Sequence, residues 1–329
     1  MRAVQLTAYG NPIEGLKYVD LPEPDAPGPN QVLIEIEFSP LNQSDLLLAR
    51  GIYGTRPALP TVIGNEGVGR VLKVGTGVKN VKVGDRVVAP LSSFTWRERM
   101  VISANGLFAL AGGADAQQLS MLAINPPTAA LLLSEFVNLK PLDWVVQNSA
   151  NSGVGRWVIA FAKARGLKTV NIVRRPELVA ELKAIGADVV VVDSPDVSKE
   201  IKQAVAQAEL RLGLDGVSGP ASGAIASTLS PQGTLVSYAA MSAGSDVDQP
   251  AGRDLQAADC AGLLAGPSGV CGEERAGSSA GGRDDRVRPG ADSSGDDLSP
   301  FVDQGSRRTC ATRRQGSSGG SRIIQLTSE

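Results

Sequence analysis

The spacing of apolar and polar positions changes twice along the chain. Up to about residue 110 the pattern is short and strand-like. "QVLIEIEF" (31–38) alternates apolar and charged residues as a half-buried strand does, and "VGRVLKVGTGVKNVKVGDRVV" (68–88) reads as short Val-rich strands cut by glycines. From about 120 the period lengthens. "QLSMLAINPPTAALLLSEFVNL" (118–139) predicts helical segments around a Pro-Pro break. "DWVVQNSANSGVGRWVIAFAKARGLKTVNIVRR" (143–175) then has a βαβ shape. Its strand at 144–146 leads into a small-residue loop, then a helix with apolar positions Val158, Ile159, Ala162 and Ala164, then a strand at 169–173. A helix over 176–187 and a strand over 188–193 follow, and "LDGVSG" (214–219) and "GTLVSYAAM" (233–241) read as further strand ends. Strands alternating with helices predict an α/β fold with a doubly wound parallel sheet.

After about residue 248 the periodicity stops. The stretch is crowded with Gly, Ser, Arg and Asp, a composition that favours a disordered C-terminal tail. A doubly wound domain that ends after about four strands is incomplete. The reading is therefore of three parts: 1–115, 116–248 and 249–329.

Composition narrows the classes. The 329 residues are enough for two domains, and a net charge of −2 gives no reason to expect nucleic-acid or membrane-surface binding. No apolar run approaches a membrane span, and "MRAVQLTAYG" lacks the order of a signal or transit peptide, so a cytoplasmic protein is expected. There is no histidine, and the three cysteines, Cys260, Cys271 and Cys310, all lie in the last quarter. The first 250 residues offer only carboxylates to a zinc ion, so no metal site is expected.

The loop "NSANSGVG" (148–155) joins a buried strand to a helix. Small residues there let the backbone approach a pyrophosphate, and the helix N-terminus adds free N–H groups. A tight strand–helix turn is the plainer reading. At the end of the next strand stand Arg174 and Arg175. An acidic residue there suits the 2′-hydroxyl of NAD, whereas arginines suit the 2′-phosphate of NADP. A solvated loop would carry them too.

Several stretches together resemble the zinc-free branch of the medium-chain dehydrogenase/reductase superfamily, and within it the 2-enoyl thioester reductases. They are "PLNQSD" (40–45), "RGIYG" (50–54), "LPTVIGNEGVG" (59–69), "INPPTA" (124–129), "DWVVQNSANSGVG" (143–155), "GLKTVNIVRR" (166–175) and "LVSYAAMS" (235–242). The resemblance runs from residue 1 to about 248. It implies a GroES-like β domain over 1–115, a Rossmann-type NADPH-binding domain over 116–248 and an active site in the cleft between them. Asn42 and Asn65 stand where zinc-dependent relatives carry a cysteine and a histidine.

The resemblance also assigns roles. Tyr53, by itself an ordinary turn aromatic between two glycines, matches the family's acid. Its hydroxyl would stabilise charge on the thioester oxygen while NADPH reduces the enoyl double bond, and a tyrosine with a pKa of about 10 donates without ionising at neutral pH. The implied NADPH contacts are Asn125, Asn151, Ser152, Gly153, Val154, Arg174, Arg175, Tyr238 and Met241. Trp96 matches a tryptophan at the mouth of the site, and simple packing accounts for it equally well. One departure is the Arg174-Arg175-Pro176 run, where the family has Arg-x-Arg-Pro. Implied substrates are acyl-CoA or acyl-carrier-protein thioesters, and the implied assembly is a homodimer. A quinone or enone reductase of the same fold and an inactive remnant are the alternatives.

The tail departs from the family altogether. Read one nucleotide later, the codons of "DLQAADCAGLLAG" (254–266) permit I-F-K-x-x-T-V-x-G-F-W, close to the family's next segment. The same shift on "DLSPFVDQGSRRT" (297–309) permits I-Y-P-P-L-S-T-K-E-A-V-A-H. A frameshift between about Ser242 and Ala251 accounts for both. It predicts a sheet that has lost edge strands and a cofactor cleft that has lost one wall.

Overall fold

The computed structural model describes residues 1–239 and, as backbone strands, 311–314 and 322–326. The first part holds β1 (Arg2–Leu6), α1 (Pro12–Gly15), β2 (Leu16–Asp20), β3 (Gln31–Phe38), α2 (Gln43–Arg50), β4 (Thr61–Val62), β5 (Val68–Val74), β6 (Arg86–Val88) and β7 (Arg99–Ser103). They form two antiparallel sheets, β2-β1-β4 and β6-β5-β3-β7. β3 departs from the expected alternation, because Val32, Leu33 and Ile34 are all buried. As a central strand between β5 and β7 it is covered on both faces along this stretch. Val32 and Ile34 pack with Val71, Val87, Met100 and Ile102. A second cluster, Leu6, Leu48, Ala49 and Ile63, joins β1 to α2 and carries the site side of this part.

The second part runs α3 (Ala116–Leu119), α4 (Asn125–Ser134), β8 (Trp144–Gln147), α5 (Gly153–Ala164), β9 (Lys168–Val173), α6 (Leu178–Ala184), β10 (Val189–Val192), α7 (Val197–Val205), β11 (Leu210–Asp215), α8 (Pro220–Ala226) and β12 (Thr234–Ser237). The Pro-Pro pair does not divide two helices. It sits in the first turn of α4, where a missing N–H costs nothing. In α5 the buried positions are Gly155, Val158, Ile159 and Ala162, whereas Ala164, expected on the apolar face, is exposed in the last turn. Helix α7 buries Val197, Ile201 and Val205, spaced by four, on one face.

The strands order as β10-β9-β8-β11-β12, all parallel. Successive side chains of β8 go to opposite layers. Val145 packs with Leu132, Val158 and Ala162 of α4 and α5, and Val146 with Ile201 and Ile225 of α7 and α8. Each such fully buried aliphatic side chain contributes about 1.5–3 kcal/mol. Helices on both faces make this the doubly wound sheet expected. The chain leaves β8 in one direction through β9 and β10 and returns on the other side through β11 and β12. The switch point lies between β8 and β11.

Beyond residue 239 strands are described at two places. β14 (Arg322–Leu326) pairs parallel with β12, from Thr234↔Arg322 to Ser237↔Gln325, and β13 (Ala311–Arg314) pairs antiparallel with β14. An open edge offers a row of unpaired N–H and C=O groups to any extended segment. "RIIQL" supplies such a segment with two β-branched isoleucines. The rest of 249–329, with the three cysteines and both stretches of the shifted frame, lies outside the described residues. Among the described residues no helix is long and apolar enough to cross a membrane.

Candidate active site

The parallel sheet brings its loops together at the C-terminal ends of the strands, where ligands bind at a switch point. After β8 the chain turns sharply. Ser149 takes φ of +50°, Ser152 N–H donates to the Ser149 carbonyl at 2.9 Å, and the Ser152 hydroxyl accepts from Gly155 N–H at 3.1 Å to cap α5. A side chain at Gly155 is excluded, because its Cβ would stand 2.6 Å from the Ala150 carbonyl oxygen. The N–H groups of Gly153 and Val154 open α5 at its positive end. Asn151 and Ser152 are half-buried beside them, and the Asn151 carbonyl accepts from Arg156 Nε at 3.1 Å.

Two further implied contacts meet this loop. Asn125, the first residue of α4, lies directly over Gly153, where a Cβ would be 2.8 Å from its amide. Tyr238, just past β12, reaches back so that a Cβ at Gly216 would lie 2.8 Å from its hydroxyl and 3.5 Å from Ser149 Cβ. Arg174 and Arg175 follow β9 at the same end of the sheet, both exposed, with Arg175 Nε 3.5 Å from Glu177 Oε1. An ion pair this exposed holds the side chain only weakly. Met241 lies outside the described residues.

The same end of the sheet is stiffened by groups the sequence pattern did not reveal. Asp215, fully buried at the end of β11, accepts from Asn148 Nδ2 at 2.6 Å, from the N–H groups of Val217 and Ser218 at 3.0 Å each, and from the Ser222 hydroxyl. Asn148 in turn accepts from Gly216 N–H at 2.7 Å. Loops 148–152 and 215–219 are thereby locked on either side of the switch point. Thr128, one turn along α4 from Asn125, buries its hydroxyl with no hydrogen-bond partner among the described residues. A buried polar atom of this kind is normally answered by a bound polar group. The glycine cradle at 153, the helix end and this hydroxyl fit a dinucleotide.

The other half of the site stands on the first part. Tyr53 and Trp96 pack on the same cluster of Leu6, Leu48, Ala49 and Ile63. Tyr53 follows the left-handed Gly51 that ends α2. The Trp96 indole lies against Gly64, where a Cβ would approach its Cδ1 to 2.4 Å, and donates to the Pro40 carbonyl at 3.1 Å. Trp96 is thus packed, on the same cluster as Tyr53.

Asn42 and Asn65 bind carboxylates and a hydroxyl. Asn42 N–H donates to Asp45 at 2.8 Å and its amide to Glu66 Oε1 at 2.9 Å. Asn65 N–H donates to Asp45 at 3.0 Å and its amide to Ser44 Oγ at 2.9 Å. Burial pushes the Asp45 carboxyl up to about 6 against the pull of the Asn42 and Asn65 N–H donors. Burial likewise pushes Glu66 up to about 7, opposed by its Asn42 and backbone hydrogen bonds and reinforced by Asp45. Among the described residues no three His, Cys, Asp or Glu side chains form a metal-binding group.

A β-rich part joined to a dinucleotide-type sheet, with the cofactor loop at its switch point, is the build of a dehydrogenase. The alcohol dehydrogenase GroES-like domain model matches residues 28–119, and the zinc-binding dehydrogenase model matches 153–259. The mitochondrial enoyl-[acyl-carrier-protein] reductase of Caenorhabditis elegans is 39% identical over 76% of this chain and 73% of its own length. That of Dictyostelium discoideum is 38% identical over 73% and 71%. An enoyl thioester reductase from Candida tropicalis has a TM-score of 0.64 at 30% identity, covering 76% of this chain and 77% of that one. A quinone oxidoreductase of Pseudomonas syringae pv. Tomato has a TM-score of 0.63 at 31% identity over 73% of each chain. The chain belongs to the medium-chain dehydrogenase/reductase superfamily, in its zinc-free enoyl thioester reductase branch.

Proposed function

We propose that this chain reduces the double bond of 2-enoyl thioesters, carried on CoA or acyl-carrier protein, with NADPH. The observation that carries the reading is the pairing of two half-sites. Tyr53 and Trp96 share one cluster, and Asn125 closes over the Gly153 cradle at the switch point. Relatives named enoyl-[acyl-carrier-protein] reductases and a solved Etr1p/NADP/crotonyl-CoA complex, with a TM-score of 0.64 at 30% identity, support it.

When bound, the cofactor supplies hydride to the β-carbon of the enoyl group. The remaining work falls to the chain. Asn125, Asn151 and the first turn of α5 hold and orient the dinucleotide. Arg174 and Arg175 offer positive charge to a 2′-phosphate, which is the ground for NADPH rather than NADH. Tyr238, and Met241 beyond the described residues, belong to the same binding role. The Tyr53 hydroxyl donates to the thioester oxygen as negative charge gathers there, and a proton reaches the α-carbon from Tyr53 or through a water. The side-chain amides of Asn42 and Asn65 are neutral and already engaged with Glu66 and Ser44, so the polarising part falls to Tyr53.

The test is NADPH oxidation with crotonyl-CoA and, separately, with a quinone, for the full chain and Tyr53→Phe. Removing one oxyanion donor should lower kcat with crotonyl-CoA about 100-fold. A quinone reduced faster than crotonyl-CoA, or an unaffected Tyr53→Phe, would overturn the assignment in favour of a quinone or enone reductase. The homodimer is part of the same proposal, tested by light scattering.

A further inference from the structure

We propose that Glu66 is a positioning residue of the reduction. Its one carboxylate ties the elements that carry Tyr53 and Trp96 to the start of α4, and through it sets Asn125 against the cofactor loop.

Helix α4 begins without a cap of its own. The residue at its N-cap is Ile124, which has no polar side chain, and the next N–H donors are reduced by Pro126 and Pro127. Orphan N–H groups at a helix start require a partner. Glu66, 58 residues earlier and fully buried, supplies it: Ile124 N–H donates to Glu66 Oε2 at 3.0 Å. The cap therefore comes from the other part of the molecule.

The second carboxylate oxygen faces the opposite way and accepts from Asn42 Nδ2 at 2.9 Å. Asn42 is the N-cap residue of α2, whose far end delivers Gly51 and then Tyr53. The main chain of Glu66 is held as firmly. Its carbonyl accepts from the hydroxyls of Ser39 at 2.8 Å and Thr95 at 2.7 Å, next to Pro40 and Trp96, which bond to each other. One residue thus connects the neighbours of Trp96, the start of α2 and the start of α4. The residue after Ile124 is Asn125, which has no slack over Gly153.

This inference rests on the roles given above to Tyr53 and Asn125. Its experiment measures kcat and KM for crotonyl-CoA and NADPH, together with NADPH affinity by fluorescence. The proteins are the full-length wild type, Glu66→Ala and Glu66→Gln, well below their melting temperatures and with circular dichroism matched. Misplacing reacting groups by an ångström or less costs on the order of 10- to 100-fold. Glu66→Ala should lower kcat/KM by about that factor and weaken NADPH at least about fivefold. Glu66→Gln, which keeps an acceptor for Ile124 N–H, should recover most of both losses. If Glu66→Ala does not fold, Glu66→Asp, equally charged but shorter by one methylene, should show the same losses in smaller measure. A variant that only melts earlier, with kcat, KM and NADPH affinity within about twofold of wild type, refutes the positioning role. If the wild type binds NADPH but leaves crotonyl-CoA untouched, the substrate assignment fails by itself. The NADPH affinities of the variants then still decide for or against Glu66.

Discussion

Burial of Glu66 makes a specific claim about stability and pH. The side chain is fully buried, and its carboxyl is pushed from 4.5 to about 7, chiefly by loss of water. Between those two values the folded chain holds a proton that the unfolded chain has released. The contribution to stability is therefore complete below about pH 4.5 and is lost as pH rises through about 7. At about 1.4 kcal/mol for each pH unit the whole effect is about 3 kcal/mol, most of it falling between pH 5 and 8. Glu66→Gln isolates it, because glutamine keeps the shape and cannot titrate. In urea titrations followed by tryptophan fluorescence, wild type and variant should be of similar stability at pH 5. At pH 8 the variant should have gained about 2–3 kcal/mol on the wild type. Comparing the two proteins at each pH cancels the other titrating groups, apart from coupling to Asp45, which moves in the same direction. A difference that does not change between pH 5 and 8 would refute the argument, since it would mean that the buried carboxylate is as well solvated as in the unfolded chain.

Gly153→Val should abolish measurable NADPH quenching while leaving the fold intact, since even its Cβ meets the Asn125 amide at 2.8 Å; binding within a few-fold of wild type would remove Asn125 and Gly153 from the site. Replacing Arg174 and Arg175 together by alanine should cut the preference for NADPH over NADH at least about tenfold in kcat/KM, and an unchanged ratio would show that the 2′-phosphate is read elsewhere. Asp215→Ala leaves the Asn148 amide and two backbone N–H groups without their acceptor, so chemical denaturation should show a loss of about 2–4 kcal/mol. A loss under about 0.5 kcal/mol would mean that water replaces the carboxylate at no cost.

The local rules read well from sequence wherever one residue's neighbours decide its state. The alternation of 31–38 predicted β3, and the βαβ run from 143 to 175 predicted β8, α5 and β9 with the cofactor turn between them. Placement across long separations was not available in the same way. Ala164 follows the apolar run of α5 yet ends exposed, because at about 100° per residue it falls on the face opposite the buried Val158, Ile159 and Ala162. The tail showed no strand period, yet β14 lies along β12 and β13 along β14, because an unpaired sheet edge offers its backbone groups to any extended segment.

The candidate site divides along the same line. Sequence alone determined the chemistry on offer: a tyrosine between glycines, a small-residue loop before a helix, two arginines after the next strand, and no histidine. Only the tertiary structure decided how these act together. It put Tyr53 and Trp96 on one cluster, closed Asn125 over Gly153, and made Glu66 the cap of a helix whose N-cap residue stands 58 residues later. The physical reason is that hydrogen bonding and desolvation depend on what surrounds an atom. The glutamate of "GNEGVG" acquires its role only when the fold removes its water and leaves Asn42 and Ile124 as its partners.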